Sequence, residues 1–303
     1  MRLQDDRTRR SRARGFRRLS LAAIIVFTAT VARAVLFETV PDDIRIPSYT
    51  PVRIPFRPGQ SLTYRVSWAG IPAAGATIGM RSDPDDPALL TGEVNVATNK
   101  LLDVLYRMRD YVRENFARAS LAPHDVYIRQ SENRRGEEYI INFDHRAGVV
   151  DMLKRNPRRS DDVKFHSPNP AGPISGPLMA LSQPLAVGST LVFDVFVGHN
   201  RYVIALKVER RERLRTALGD FDTLRITPTM LYLSDNQART KAREVTVWVS
   251  DDPRHLPLRV QAEAFIGHIT ADLVQVADVN TSAGPDHSAP DPKPPARSVE
   301  RTP

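Results

Sequence analysis

The chain has 303 residues, of which 41% are apolar and 26% are charged, and it carries a formal net charge of +8. This composition can form a hydrophobic core and excludes a generally disordered chain. The absence of cysteine excludes disulfides, thiolate metal sites, a cysteine nucleophile and a lipidated cysteine.

Most of the positive charge lies at the N-terminus. Residues 1–34 contain nine arginines and two acids, so they carry +7 and all later residues together carry +1. Arg17 and Arg18 precede an apolar run over 19–31, and Ala32-Arg33-Ala34 has the small-x-small form of a cleavage site. We therefore predict that 1–34 is a signal peptide cleaved after Ala34 and that the protein is periplasmic. An uncleaved anchor in the inner membrane is the alternative. Membrane contact is expected during export, and nucleic acid is not an expected partner because the remaining chain is nearly neutral.

Composition divides the rest of the chain into three segments. Residues 35–57 are rich in proline and show little periodicity, which predicts an extended lead-in. Residues 280–303 contain six prolines and almost no large apolar side chain, so we expect a disordered tail that cannot offset its ordering entropy. The folded β domain is expected over 58–279.

Apolar and polar residues alternate with a period of two through most of this domain. The first clear strand carries Leu62, Tyr64, Val66 and Trp68 on one face. Each such strand has one apolar and one more polar face, which is typical of an antiparallel sheet with one solvated side. The remaining strands fit 139–144, 191–197, 202–208, 223–231, 243–249, 257–266 and 268–276.

Helical patterns are few and short. Leu101, Leu102, Leu105 and Met108 suit a short helix after Asn99, and residues 178–181 suit one or two more helical turns. No alternation of strands and helices occurs, so a parallel sheet is not expected. The predicted fold class is mainly β, either a single large curved antiparallel sheet or a half-open β-barrel, with one or two short helices.

The sequence contains no recognisable catalytic, metal-binding or cofactor motif, and we expect a protein that is not an enzyme. The segment 172–176 approximates a G-x-S-x-G motif, but its serine is one position late and prolines flank it, so a Pro/Gly loop over 167–177 is predicted. The densest polar cluster is Asp251, Asp252 and His255, where an Asx-type turn is the predicted role of Asp251 or Asp252. A hydrolase would require His255 or His268 to meet a distant aspartate.

The apolar face of the sheet is the most informative feature for function. A large curved sheet must bury its concave face against itself, a helix or a ligand. Ordinary core packing would explain the aromatic residues on that face, and a bound hydrophobic ligand is the alternative. The candidate ligand-lining residues are Tyr64, Trp68, Phe143, Phe193, Tyr202 and Phe265.

Three sequence segments resemble a known family. Residues 59–75, GQSLTYRVSWAGIPAAG, resemble the opening of the bacterial envelope family called domain of unknown function 3108. Residues 219–223 and 247–257 resemble its later signature, and Ile266-Gly267 falls where the family often ends. The resemblance spans 58–276 and implies an exported β-rich protein, similar in shape to the half-barrel lipoprotein carriers of the periplasm. The segment 173–181 keeps the serine but lacks the acid and the arginine that family members often show nearby.

These observations favour a non-enzymatic periplasmic or envelope protein that binds a lipid or glycolipid in a curved β-sheet. An envelope structural or protein-interaction module without a small ligand is the second hypothesis. A hydrolase acting on envelope components is the third.

Overall fold

Antiparallel strands form most of the structure, a computed structural model that describes residues 46–133, 135–156, 159–233, 244–264 and 267–278. The predicted signal peptide and C-terminal tail lie outside the described residues. The strands are β1 (Gln60–Trp68), β2 (Ile71–Ser82), β3 (Leu89–Thr98), β4 (Met108–Ala117), β5 (Pro123–Glu132), β6 (Arg135–Asp144), β7 (Val149–Asn156), β8 (Arg159–His166), β9 (Pro170–Ala171), β10 (Thr190–Val197), β11 (Asn200–Thr216), β12 (Gly219–Leu233), β13 (Val245–Ser250), β14 (Pro257–Glu263) and β15 (His268–Asp278).

All of these strands belong to one sheet, which confirms the predicted fold class. The order is β8-β7-β6-β5-β4-β3-β2-β1-β15-β14-β13-β12-β11-β10-β9, so the first strand pairs with the last and each other strand pairs with a neighbour in sequence. The pairs are antiparallel except for β9 and β10, which are parallel. Because hairpins connect nearly all the strands, short turns suffice to build the sheet.

Strand β4 shows how the sequence builds the sheet. Its residues alternate strictly between buried and half-buried positions, as a pleated strand with one face on the core requires. The buried face carries Met108, Val112 and Phe116, but it also carries Asp110 and Glu114. Two acids therefore point into the interior from an otherwise apolar face.

In the part of the chain that the structure describes, two short helices connect strands. Helix α1 (Lys100–Asp103) begins at Asn99, whose side chain accepts a hydrogen bond from the backbone N–H of Leu102 at 2.8 Å, so the predicted helix is confirmed. Its predicted extension to Met108 is wrong, because Met108 starts β4 and its N–H bonds the hydroxyl of Thr98 at 2.9 Å. Neither α1 nor the second helix is long and apolar enough to cross a membrane.

The second helix, α2 (Ser175–Ser182), is longer than the predicted 178–181. It begins inside the segment predicted to be a Pro/Gly loop, and β9 occupies residues 170–171 of the same segment. The loop prediction therefore holds for residues 167–169 and 172–174 and is wrong for the others. Local composition favoured a loop, and long-range hydrogen bonds to the start of α2, described below, stabilise the helix instead.

The two edges of the sheet approach each other along a seam, which we define as the contact of β6 and β8 with β10. Three residues connect β8 to β9, so four chain steps of about 3.8 Å limit their separation to about 15 Å. The ring of Phe196 on β10 lies 5.8 Å from that of Phe165 on β8 and 6.2 Å from that of Phe143 on β6. The sheet is therefore not closed by hydrogen bonds, and side chains close it instead.

The turns alternate between two ends of this half-barrel. Among the described residues, the α1 rim comprises the turns after β1, β3, β5, β10 and β14, and includes α1. The α2 rim comprises the turns after β2, β4, β6, β11 and β13. The lead-in, described from residue 46, reaches the α2 rim, where Tyr49 accepts a hydrogen bond from the N–H of Val192 at 2.9 Å. Gln183, just after α2, donates to the carbonyl of Thr50 at 2.9 Å.

Candidate functional site

A cavity of about 110 Å³ lies between α2 and the concave face of the sheet. Strands from both halves of the sheet contribute to its wall, and Phe56 of the lead-in reaches it from the α2 rim. Its lining residues are Phe56, Tyr64, Ile78, Val94, Pro173, Ile174, Pro177, Leu178, Ala180, Leu181, Leu185, Leu191, Leu206, Val208, Ile226, Val245, Val247, Val249, Pro257 and Val260.

The cavity offers almost no polar group to a ligand. Among the lining residues that the structure describes, Tyr64 alone has a polar side chain. Its hydroxyl donates to the carbonyl of Pro257 at 2.8 Å, and burial raises the pKa of Tyr64 far above its usual value. The hydroxyl is therefore neutral and already bonded, so the cavity wall presents apolar atoms.

The six predicted lining residues fall into separate places. Tyr64 lies in the cavity wall. Phe193 lies in a smaller adjoining pocket of about 10 Å³, and its ring packs against Tyr49 of the lead-in with centroids 4.8 Å apart. Trp68 lies at the last position of β1 on the α1 rim, is 38% exposed and does not line the cavity.

Part of the apolar face that the sequence pattern assigned to ligand binding is used for packing at the seam. Phe143 is buried but packs edge-on against Phe196, and Tyr202 is buried on β11, so neither contributes to the cavity wall. The sequence pattern cannot distinguish Phe143 from a residue of the cavity wall, because the residue that covers it, Phe196, comes from a distant strand across the seam. Phe265 lies outside the described residues.

The start of α2 is held by a buried carboxylate that the sequence analysis missed. Glu114 of β4 is fully buried and accepts hydrogen bonds from the N–H of Ile174 at 2.6 Å and the N–H of Ser175 at 3.2 Å. A helix start leaves such N–H groups without partners inside the helix, and a carboxylate there also meets the positive end of the helix dipole. Glu114 therefore fixes one end of α2 to the sheet.

Glycines make this close approach sterically feasible. A Cβ atom added to Gly172 would overlap the carboxylate of Glu114, and one added to Gly92 would lie 2.8 Å from Cγ2 of Ile174. Only glycine leaves enough room for α2 and its preceding turn to contact β3 and β4. The near-match to G-x-S-x-G therefore has a packing explanation: its first glycine accommodates Glu114, and its serine N–H binds it.

Burial governs the protonation of the two acids on β4. Desolvation raises the pKa of Glu114 to about 7, although the hydrogen bonds from Ser175 and Ile174 oppose the shift. Desolvation likewise raises the pKa of Asp110 to about 7, with the N–H of Ser131 opposing it. The sequence does contain a signal for this site, because both acids share a period-two face with Met108, Val112 and Phe116. That signal can be used only if β4 is first recognised as a strand.

The other end of α2 contacts the turn between β13 and β14. His255 bonds the carbonyl of Leu181 through Nδ1 at 2.9 Å, and Nε2 lies 2.7 Å from the guanidinium of Arg53. Burial lowers the pKa of His255 and the charge of Arg53 lowers it further, which favours a neutral ring. In the same turn Asp252 accepts a hydrogen bond from the N–H of Arg254 at 2.8 Å, so the predicted Asx-type turn is confirmed.

These features define a β-barrel-like protein with an internal helix and an apolar cavity. Comparison with known families matches residues 63–274 to the family described as "Protein of unknown function (DUF3108)", so the chain belongs to that family, as the sequence resemblance predicted. The chain matches no curated protein in sequence.

The comparison with solved structures matches proteins from several bacteria. A β-barrel-like protein of domain of unknown function DUF1849 from Brucella abortus has a TM-score of 0.53 at 8% identity, over 74% of this chain and 98% of that chain. That similarity shows a shared fold. A candidate lipoprotein from Parabacteroides distasonis has a TM-score of 0.33 at 12% identity, over 76% of this chain and 100% of its own. A candidate exported protein with a YmcC-like fold from Bacteroides fragilis has a TM-score of 0.30 at 12% identity, with the same coverage.

Proposed function

We propose that this protein binds a hydrophobic molecule, the acyl chain of a lipid or glycolipid, in the cavity between α2 and the sheet. The supporting observation is the lining of the cavity, whose one polar side chain, Tyr64, is already bonded within the protein. Water in such a cavity would lack hydrogen-bond partners, whereas an engineered apolar cavity of about 150 Å³ stays dry and binds benzene. An apolar ligand would supply the dispersion contacts that an empty cavity lacks.

The size of the cavity limits the ligand. Pockets for drug-sized molecules usually measure about 300–1,000 Å³. A cavity of about 110 Å³ has room for part of one alkyl chain or for a single small ring. A polar headgroup would stay outside, and a bulkier ligand would require α2 to move away from the sheet.

We further propose that the protein acts in the periplasm or elsewhere in the cell envelope and that its role is non-enzymatic. The envelope location is supported by the basic and apolar pattern of residues 1–34, with cleavage after Ala34. A binding role is favoured because the described hydrogen bonds of His255, the buried histidine, tie it to Arg53 and to the carbonyl of Leu181. Both contacts hold elements together around α2.

Binding of the apolar fluorophore N-phenyl-1-naphthylamine tests the proposal. We expect saturable fluorescence enhancement that 1-decanol reverses and that 1-butanol leaves nearly unchanged at the same concentration. Ala180→Phe places a ring in the cavity from α2, and Val247→Phe does so from the opposite wall. Each should weaken binding at least about tenfold, equivalent to about 1.4 kcal/mol.

Ala88→Phe is the matched control, because Ala88 is exposed in the turn between β2 and β3, away from the cavity. It should bind the fluorophore as the unmodified protein does. Circular dichroism melting of all variants separates lost binding from lost folding. The proposal is refuted if the folded Ala180→Phe and Val247→Phe variants bind the fluorophore as tightly as the unmodified protein. It is also refuted if the unmodified protein binds no fluorophore and mass spectrometry finds no lipid in organic extracts of the protein purified from its own cells.

A further inference from the structure

The connection between β3 and β4, formed by α1 and the turn that follows it, carries an apolar surface that points into solvent. Leu101, Val104 and Leu105 are 73%, 83% and 82% exposed, although they belong to residue types that usually contribute to cores. Their spacing of i, i+3 and i+4 places them on one side of the helical turn. Single exposed apolar residues are common, but three on one face of a single turn indicate a contact surface.

The neighbouring turn extends this surface. Asn99, at the start of α1, donates through its backbone N–H to the carbonyl of Ala73 at 2.9 Å and through its side chain to the carbonyl of Pro72 at 2.7 Å. These bonds hold α1 beside the turn between β1 and β2. That turn exposes Ile71 and Trp68, so the α1 rim presents apolar side chains from two connections.

The same rim is positively charged. The described residues 99–109, 132, 133 and 135, in and beside two of its connections, include four basic and two acidic residues, a local charge of +2, whereas all residues after position 34 together carry only +1. The N–H of Asn133 donates to the carbonyl of Arg107 at 2.7 Å, which holds the two connections together. Lys100 and Arg107 are exposed and make no ion pair within the described part of the chain, while Arg109 is paired with Asp103 at 2.6 Å.

We infer that the α1 rim docks on a bilayer surface that contains anionic phospholipid. Exposed apolar side chains next to basic residues are the combination that partitions into the interface of such a membrane. The charge complements anionic headgroups, and Leu101, Val104 and Leu105 would insert between them. The lead-in and the C-terminal end of α2 lie toward the α2 rim, so the docking surface is at the opposite end of the half-barrel. This inference is independent of whether the cavity binds a ligand.

The two tryptophans provide a site-specific test in the full chain. Trp68 lies on the α1 rim, and Trp248 lies on β13, half-buried, with its ring N–H bonded to Glu212. Vesicles of phosphatidylglycerol with brominated acyl chains should quench the fluorescence of the Trp248→Phe variant, in which Trp68 is the remaining tryptophan. They should leave the Trp68→Phe variant nearly unquenched. Brominated phosphatidylcholine vesicles should quench neither.

Substitutions on the rim identify the groups responsible. In the Trp248→Phe background, Leu101→Ser, Val104→Ser and Leu105→Ser together should abolish quenching, and Lys100→Gln with Arg107→Gln should weaken vesicle binding roughly 25-fold, about fivefold for each charge. The matched control replaces Val52, Val187 and Leu218 with serine, because these are exposed apolar residues of the opposite end. That control should bind as the background protein does.

Three results would overturn the inference. They are no quenching of Trp68 by phosphatidylglycerol vesicles, equal quenching by phosphatidylcholine, or equal loss of binding in the control variant. Sedimentation that shows dimers lost in the Leu101, Val104 and Leu105 variant, without vesicle quenching, would instead assign the surface to a second copy of the chain. Because the substituted side chains are exposed, every variant should keep the melting temperature of the background protein.

Discussion

Replacing Glu114 with glutamine should change how stability depends on pH. Burial raises the pKa of Glu114 from 4.5 to about 7, so between these values the folded protein holds a proton that the unfolded chain has lost. Stability rises with pH only where the unfolded state binds more protons, so here the free energy of unfolding must fall as the pH rises. Glutamine is nearly the same shape and does not titrate, so this fall should be absent from the variant.

The size of the effect follows from the shift. Raising this pKa from 4.5 to about 7 corresponds to about 3.5 kcal/mol at about 1.4 kcal/mol per pKa unit, of which about 2.5 kcal/mol is lost between pH 5 and pH 8. With a urea m-value of about 2–3 kcal/mol per M for a domain of this size, the midpoint of the unmodified protein should fall by about 1 M, relative to the variant, between pH 5 and pH 8. The raised pKa of Asp110 also makes the free energy of unfolding fall as the pH rises, equally in both proteins. The lowered pKa of His255 makes the free energy of unfolding rise with pH in the acid range, again equally in both proteins. The comparison between the two proteins therefore isolates Glu114.

Urea unfolding followed by circular dichroism at pH 5, 6, 7 and 8 measures this difference. Glu93→Gln is the matched control, because Glu93 is a partly exposed carboxylate on the neighbouring strand that bonds Tyr111 and Arg81. It should keep the pH dependence of the unmodified protein. If Glu114→Gln instead keeps the same decrease in midpoint from pH 5 to pH 8, the carboxylate is not protonated in the folded state at pH 5 and the reasoning is refuted.

Two further substitution pairs test the packing around this site and the charges near the seam. Gly172→Ala should lower the free energy of unfolding by about 2–4 kcal/mol, because the added Cβ overlaps the buried carboxylate that holds α2. Gly79→Ala is the control: no atom lies within 4 Å of its added Cβ, so its free energy of unfolding should change by less than about 1 kcal/mol. Similar chemical denaturation midpoints for the two would contradict this account of the close approach. Asp194→Asn should cost about 3–5 kcal/mol, because it breaks a bidentate pair with Arg201 in which the aspartate side chain is fully buried. Asp151→Asn, which breaks an exposed pair with a lysine, should cost at most about 1 kcal/mol, and equal losses in thermal melts would refute the distinction.

The sequence by itself determined the features that depend on local interactions. Alternation at Leu62, Tyr64 and Val66 predicted β1, because strand geometry puts every second side chain on the same face. Asn99 predicted the start of α1, and Asp252 predicted a turn, because each side chain bonds a backbone N–H within three residues. Family membership followed from motifs of the same kind. These interactions need no knowledge of the rest of the chain.

Only the tertiary structure decided which part of the apolar face packs and which part encloses a cavity. Phe143 and Tyr64 carry the same period-two signal, but the rolled edge of the sheet covers the first and leaves the second at the cavity wall. Glu114 bonds residues 60 and 61 positions later in the chain, and His255 bonds Arg53 from 202 positions away. Contacts at such separations depend on how far the sheet curls, and that curvature is the summed twist of fifteen strands. No single strand's sequence contains that sum.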